Sequence, residues 1–168
     1  MDVIVIRHGS AEPAGGEGDE ARRLTKAGKE EVKVTARALR KLGVKLEIIL
    51  ASPLVRAVET AEIVAGIHKG AEVAVEEALR PRDAFPILPI RDRLGELATD
   101  GAAAVALVGH APSLDECIGE LTAGQREAGI SLSKAGAACL TMFLEDAPIA
   151  AELRWLMRRG QLAKLAGT

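Results

Sequence analysis

Two histidines and two arginines follow short apolar runs that are typical of buried strands. Arg7 and His8 come directly after the first such run, Arg56 lies a few residues after the second, and His110 follows a later one. In an open parallel sheet, ligands bind in the crevice at the carboxyl ends of the strands. We therefore expect these four side chains to meet at one edge of the sheet.

This combination of side chains suits a phosphoryl group. Guanidinium groups bind phosphate oxygens in a bidentate manner and do not lose their charge. A neutral imidazole can act as a nucleophile and form a phosphoenzyme. Helix N-termini near the same edge would add positive partial charge. The joint pattern predicts a site for phosphoryl transfer, a reaction that depends mostly on positioning and charge stabilisation.

Each of these residues also has an ordinary structural explanation when it is taken alone. Arg56 could pair with Glu59 on the same helix face, and His110 could cap the helix that follows it. A zinc site built on His8 and His110 is disfavoured, because no carboxylate or cysteine falls at ligand spacing beside them. No metal and no cofactor are therefore expected.

Strands alternate with helices along the chain, which predicts an α/β three-layer sandwich with a mainly parallel central sheet and helices on both faces. The prolines of residues 76–90 predict an irregular segment there. Ser52 is expected to cap a helix that has Pro53 in its first turn. Strands are predicted over residues 3–6, 46–51, 71–75, 103–108, 137–144 and 152–157, and helices over 25–42, 52–65, 90–98, 112–121 and 161–165. The last two strands, joined by a turn at 145–150, are expected to pair antiparallel at an edge.

Length and composition indicate one globular domain over residues 1–168. The net charge of −2 and the aromatic content of 2% give no support to a nucleic-acid partner. No apolar run approaches the roughly 20 residues of a membrane span, and no signal peptide is recognisable. Cys117 and Cys139 fit neither a zinc pattern nor a disulfide framework and are expected to be buried free thiols. These features predict a cytoplasmic protein with no membrane partner.

Three sequence blocks resemble the signature of the histidine phosphatase superfamily, which includes the phosphoglycerate mutases. They occur in the family's order and cover most of the chain. The resemblance implies a phosphoglycerate mutase-like fold, with His8 as the phosphate-accepting nucleophile and with Arg7, Arg56 and His110 forming the phosphate pocket. The blocks are Arg7-His8-Gly9, then Ser52-Pro53 with Arg56 and Thr60-Ala61, and finally Gly109-His110.

Within this superfamily, the chain is most similar to the SixA-type phosphohistidine phosphatases. The chain is short, and Arg22-Arg23-Leu24-Thr25-Lys26-Ala27-Gly28 resembles a segment that follows the first block in that subfamily. The resemblance implies metal-independent hydrolysis of phosphohistidine and a phosphohistidine-bearing protein as partner, with a role in signal transduction. Arg22 and Ser52 would then lie close to the substrate.

The chain departs from the mutases in two ways. It lacks the Asn that mutases carry a few residues after the first block, and no acid stands in a recognisable motif. Glu76, Glu77 and Asp83 occupy the region where the resemblance would place a general acid. Alkyl phosphate esters need a proton on the leaving group, whereas the imidazole of phosphohistidine departs more easily. Two alternatives stay open: a sugar or aryl phosphatase or mutase acting on a small phosphorylated metabolite, and a non-catalytic binder of phosphorylated ligands.

Overall fold

The computed structural model describes residues 1–16, 18–83, 85–143 and 150–167, and over these residues the chain forms six strands and five α-helices. The strands are β1 (Asp2–Arg7), β2 (Ile48–Ala51), β3 (Glu72–Val75), β4 (Ala104–Gly109), β5 (Ala137–Phe143) and β6 (Ala150–Met157). The α-helices are α1 (Lys26–Lys41), α2 (Val55–Ile67), α3 (Ile87–Thr99), α4 (Ser113–Ala123) and α5 (Arg159–Ala166), and a 3₁₀-helix covers Glu77–Leu79. In the described part of the chain, no helix is both long and apolar enough to span a bilayer.

The six strands form one sheet in the order β3-β2-β4-β1-β5-β6. Strands β1 to β4 run parallel to one another, while β5 pairs antiparallel with both β1 and β6. The prediction of a mainly parallel sheet with an antiparallel pair at one edge is therefore confirmed. Most of the predicted turn at 145–150 lies outside the described residues.

Alternate residues of the central strands face two different helix layers. In β1, Val3 and Val5 pack into a core with α3 and α4. Ile4 and Ile6 of the same strand pack into a second core with α1, α2 and α5. Because both faces of the sheet are covered, the strand reads as a continuous apolar run rather than an alternating one. The three-layer arrangement confirms the predicted α/β class.

Two helix starts differ from the prediction. Helix α2 begins at Val55, because Ser52 is still extended, and its backbone N–H donates to Val108 O over 2.9 Å. The prediction that Ser52 caps this helix is therefore wrong. Helix α3 begins at Ile87, three residues earlier than expected. Pro89 is tolerated there because the first-turn N–H groups of a helix have no intrahelical partner.

The segment after β1 passes very close to the start of α1. Thr25 caps this helix by accepting a hydrogen bond from Gly28 N over 2.8 Å, and Thr25 N donates to Ser10 O over 2.9 Å. A Cβ atom on Gly28 would lie 1.9 Å from Ser10 O, and one on Gly9 would lie 2.7 Å from Gly28 O. Both positions therefore require glycine, and the close approach fixes the backbone next to His8.

Candidate active site

The four residues singled out in the sequence converge at the carboxyl edge of the sheet. Arg7 ends β1 and His8 follows it, while His110 follows the neighbouring parallel strand β4. The rings of His8 and His110 lie 5.0 Å apart, centroid to centroid. Arg56, in the first turn of α2, donates from Nε to His8 Nε2 over 3.3 Å. The adjacent parallel strands place both imidazoles in one pocket because their ends are in register.

The hydrogen bonds of His8 define which ring nitrogen is free to react. Its Nδ1 lies 2.7 Å from Gly9 O, a carbonyl that can only accept, so Nδ1 carries the proton. Nε2 then holds a lone pair, which faces the guanidinium of Arg56. The His8 side chain is therefore held with the lone pair on Nε2, the ring nitrogen that is not bonded to Gly9 O.

Both site histidines are neutral near pH 7. Burial lowers the pKa of His8 to about 4, assisted by the positive charges of Arg56, Arg7 and Lys134. Burial also lowers the pKa of His110 to about 3, with further contributions from His8 and Arg56. Desolvation and nearby cations both disfavour an imidazolium ion. His8 is thus in the protonation state that a nucleophile needs.

Two buried nitrogen atoms at this edge have no hydrogen-bond partner among the described residues: Arg7 Nε and His110 Nδ1. Arg7 is oriented by a hydrogen bond of 2.7 Å from Nη1 to Leu132 O. His110 Nε2 lies 2.8 Å from Ser52 Oγ. If the Ser52 hydroxyl donates to Nε2, His110 Nδ1 carries a proton and needs an acceptor. An oxyanion beside His8 supplies acceptors of the kind that these nitrogen atoms lack.

Asp19 is part of the site, although the sequence analysis did not single it out. Arg56 donates from Nη1 to Asp19 O over 2.7 Å and from Nη2 to Asp19 Oδ2 over 2.9 Å. Arg22 donates to Asp19 Oδ1 over 2.7 Å, so one carboxylate joins the two guanidinium groups. Hydrogen bonds from Arg22 and Arg56 lower the pKa of Asp19. Asp19 lies in the loop between β1 and α1, and the acidic, glycine-rich composition of this loop was the only sequence signal for the contact.

Two further residues of the second block support the site. Thr60 Oγ1 donates to Arg56 O over 2.7 Å and accepts from Gly9 N over 3.4 Å, which joins α2 to the chain after β1. Glu59 accepts from Leu24 N over 2.7 Å and lies 3.2 Å from Arg23. Glu59 therefore holds the end of the loop, and its ion pairs are made with residues other than Arg56.

Of the three candidate acids, Glu76 caps the 3₁₀-helix by accepting a hydrogen bond from Ala78 N over 3.0 Å. Glu77 belongs to the 3₁₀-helix and pairs with Arg80 over 3.0 Å, a contact that lowers the pKa of Glu77. Arg80 also pairs with Glu20, which ties this segment to the loop. Asp83 is exposed and makes no hydrogen bond or ion pair with a described residue. No described contact joins any of these three acids to His8 or His110.

Metal ligands are absent from this edge as far as the structure describes it: no group of three His, Cys, Asp or Glu side chains could hold a metal ion. The positive charge next to His8 comes from Arg56 and Arg7, with a smaller contribution from Lys134. The arrangement can bind a tetrahedral anion and attack it with a neutral imidazole. No neutral acid lies beside the described site residues to protonate the leaving group.

Residues 3–85 match the family model described as the histidine phosphatase superfamily, branch 1. A curated relative, an uncharacterized protein of Picosynechococcus, is 37% identical over 137 residues, which cover 81% of this chain and 82% of the relative. Because of these matches, we assign the chain to the histidine phosphatase superfamily. The fold and the site agree with this assignment, and the chain is a phosphatase.

Solved structures of other phosphatases share this fold. The protein histidine phosphatase SixA, solved in complex with tungstate, is similar with a TM-score of 0.85 and 26% identity, and the match covers 96% of this chain and 99% of SixA. A mycobacterial glucosyl-3-phosphoglycerate phosphatase shares the fold with a TM-score of 0.71 and 17% identity, covering 92% of this chain and 97% of that one. The architecture is thus used by phosphatases with different substrates.

Proposed function

We propose that this protein is a phosphohistidine phosphatase that works through a phosphorylated His8. The observation that carries the proposal is the state of His8: it is buried and neutral, with Nδ1 tied to a carbonyl and Nε2 facing the arginine. The likeness to SixA over nearly the whole length of both chains supports the same substrate class.

The proposed reaction has two steps. First, His8 Nε2 attacks phosphorus while the P–N bond to the substrate histidine breaks, and that imidazole leaves with its electron pair. Water then attacks phospho-His8, and the P–Nε2 bond breaks with its electron pair returning to Nε2. Phosphate leaves as H2PO4⁻ with both protons of the water on its oxygens, and His8 keeps its own proton on Nδ1. Arg7, Arg56 and His110 hold the phosphoryl oxygens throughout, and the Gly9 carbonyl stabilises the charge that develops on His8 by accepting from Nδ1.

The carboxylates near the site favour a good leaving group. Asp19 is hydrogen-bonded by two guanidinium groups that hold it ionised, and Glu77 is paired with Arg80. A carboxylate with a lowered pKa is a poor proton donor at neutral pH. Loss of general acid assistance costs about 10²–10⁴-fold for poor leaving groups. An imidazole that is already protonated on its second nitrogen departs as a neutral molecule, so phosphohistidine avoids this cost.

The direct test compares hydrolysis of a phosphohistidine-bearing peptide with hydrolysis of p-nitrophenyl phosphate, each by wild type and His8→Ala. We expect a strong preference for phosphohistidine, loss of both activities in the variant, and trapping of acid-labile, base-stable phosphate on wild type alone. Full activity of His8→Ala would refute the role of His8 as the nucleophile. Hydrolysis restricted to small esters would refute phosphohistidine as the substrate.

A second candidate is a phosphatase of small phosphorylated metabolites. The fold shared with the glucosyl-3-phosphoglycerate phosphatase favours it. A series of aryl phosphates of increasing leaving-group pKa separates the two candidates. Because hydrolysis of phospho-His8 is the same for every substrate, the quantity to compare is kcat/KM, which reports the step in which the leaving group departs. A steep fall in kcat/KM with leaving-group pKa supports phosphohistidine, whereas a flat dependence indicates a proton donor and favours metabolite esters. Binding of phosphate without hydrolysis of any substrate would instead indicate a non-catalytic binder.

A further inference from the structure

A cationic cavity of about 400 Å³ lies outside the phosphoryl pocket and opens to solvent. It is formed where the chain before β5 meets the start of α5, and Arg159 N donates to Ser133 Oγ over 3.3 Å at this junction. The lining residues are Ser10, Ser133, Lys134, Arg158, Arg159 and Gly160. None of the steps proposed above uses this cavity.

Two of its three cations are free to bind an anion. Lys134 and Arg158 are exposed and form no ion pair with any described residue. Arg159 is paired with Glu31, whose other oxygen accepts from Ser10 N over 3.0 Å. The charge of Arg159 is thus offset by Glu31, which does not itself line the cavity. The positive charges of Lys134 and Arg158 are therefore not balanced by an ion pair with a described residue. The hydroxyl groups of Ser10 and Ser133 also line the cavity.

The cavity adjoins the reacting histidine through the backbone. Ala135 N donates to Arg7 O over 3.1 Å and to His8 O over 3.2 Å, and Arg7 N donates to Gly136 O over 3.2 Å. Lys134 therefore sits on a segment that is bonded directly to the end of β1, and its charge is one of those that lower the pKa of His8. The cavity and the phosphoryl pocket therefore share the backbone junction between the segment that carries Lys134 and the end of β1.

We propose that the cavity binds acidic side chains that flank the phosphorylated histidine of a protein substrate. This inference rests on the proposed phosphohistidine phosphatase function and names a feature of its substrate. Small ligands are usually buried by 70–90% in enclosed sites, whereas this cavity is open and its free cations are exposed on separate segments. Carboxylates presented by the surface of a folded partner suit such a shape, and the hydroxyl groups add neutral donors.

The test uses two peptides of the same sequence around a central phosphohistidine. One carries Asp and Glu next to the phosphohistidine, and the other carries Asn and Gln at the same positions. The measured quantity is the ratio of kcat/KM for the acidic peptide to kcat/KM for the neutral one. Any effect of a variant on His8 itself applies to both peptides and cancels in this ratio.

An exposed ion pair changes binding by at most about 5-fold, and about 3-fold is a typical value at low salt. Two cations that contribute about 3-fold each give wild type an expected ratio of roughly 10. Lys134→Ala and Arg158→Ala should each lower the ratio to about 3, and the double variant should lower it to about 1. Lys45→Ala is the matched control, since Lys45 is exposed and precedes β2 at the opposite end of the sheet; its ratio should stay at the wild-type value.

A wild-type ratio near 1, an unchanged ratio in the double variant, or an equal loss in Lys45→Ala would overturn the inference. A small substrate is the other possible source of a carboxylate, and it is tested with an aryl phosphate that carries a carboxylate and with its carboxamide analogue. If the double variant lowers the kcat/KM ratio of this small pair but not that of the peptides, the inference of a protein substrate is wrong.

If wild type hydrolyses neither peptide, the proposed function fails and the cavity is tested by binding alone. Fluorescence anisotropy with the same two peptides then supports the cavity if the acidic one binds more tightly and the double variant removes the difference. Equal binding of the two peptides overturns it.

Discussion

Acidification should destabilise this protein through His8, and replacing this residue should remove that part of the effect. The folded protein holds the pKa of His8 at about 4, whereas the unfolded chain has the ordinary value of 6.5. Between these two values the unfolded state binds more protons, so the free energy of unfolding falls as the pH decreases from about 6.5 to about 4 and is then level with respect to this group.

The magnitude follows from these two pKa values. At pH 5, His8 is mostly charged in the unfolded chain and mostly neutral in the folded protein. Linkage then gives a loss of about 2 kcal/mol relative to pH 7. His8→Gln cannot take up this proton, so its free energy of unfolding should fall by about 2 kcal/mol less than that of wild type over the same interval. His110 and the carboxylates titrate in both proteins.

Urea denaturation of wild type and His8→Gln at pH 7 and pH 5 measures this difference, and imidazole ¹⁵N chemical shifts of wild type follow the titration directly. The variant is expected to have a different stability at pH 7, which does not matter because only the change between the two pH values is compared. Equal changes in the two proteins, or a His8 titration near pH 6.5, would refute the argument that a desolvated, cation-flanked imidazole provides the nucleophile.

Three further outcomes are expected. Arg56→Lys loses the fork that contacts the loop and His8, so kcat/KM for p-nitrophenyl phosphate should fall about 10- to 100-fold; a change under 2-fold would contradict this role. Gly28→Ala places a Cβ atom 1.9 Å from Ser10 O and should lower the free energy of unfolding by more than about 3 kcal/mol. Its control, Gly66→Ala, meets no atom within 4 Å and should be neutral or stabilising by up to about 1 kcal/mol; similar losses in urea denaturation would contradict the argument. The buried thiol of Cys117, whose pKa is raised to about 12, should react with a thiol reagent only after unfolding, and fast labelling of the native protein would disprove this.

Local sequence information was sufficient for the elements and for the central part of the site. Strand β1 is recognisable because its residues are buried on both faces, and Arg7 and His8 follow it at once. Parallel strands end at the same edge of a sheet, so a histidine after β1 and one after β4 were expected at one edge, and the pairing of these two strands in the structure brings them close together. The periodicity of α1 and the alternation of strands and helices predicted the three-layer class in the same way.

The sequence did not reveal contacts between segments that are far apart along the chain. The pairing of Asp19 with Arg56 depends on how an acidic loop folds over the start of α2. The position of Lys134 beside His8 depends on hydrogen bonds between the segment before β5 and the end of β1. Ser52 looked like a helix cap, yet its hydroxyl contacts His110. None of these pairs has a fixed spacing or a periodic pattern that local propensity could detect.

The order and class of the elements, and the candidate site residues that follow β1 and β4, could thus be predicted from the sequence alone, because buried strands and their ends are recognisable from residue type. The protonation state of His8, the partner of Arg56 and the cationic cavity were decided only by the tertiary structure. Desolvation and charge–charge interactions depend on distances through space, and the fold alone brings residues 7, 56, 110 and 134 close enough to His8 to interact with it.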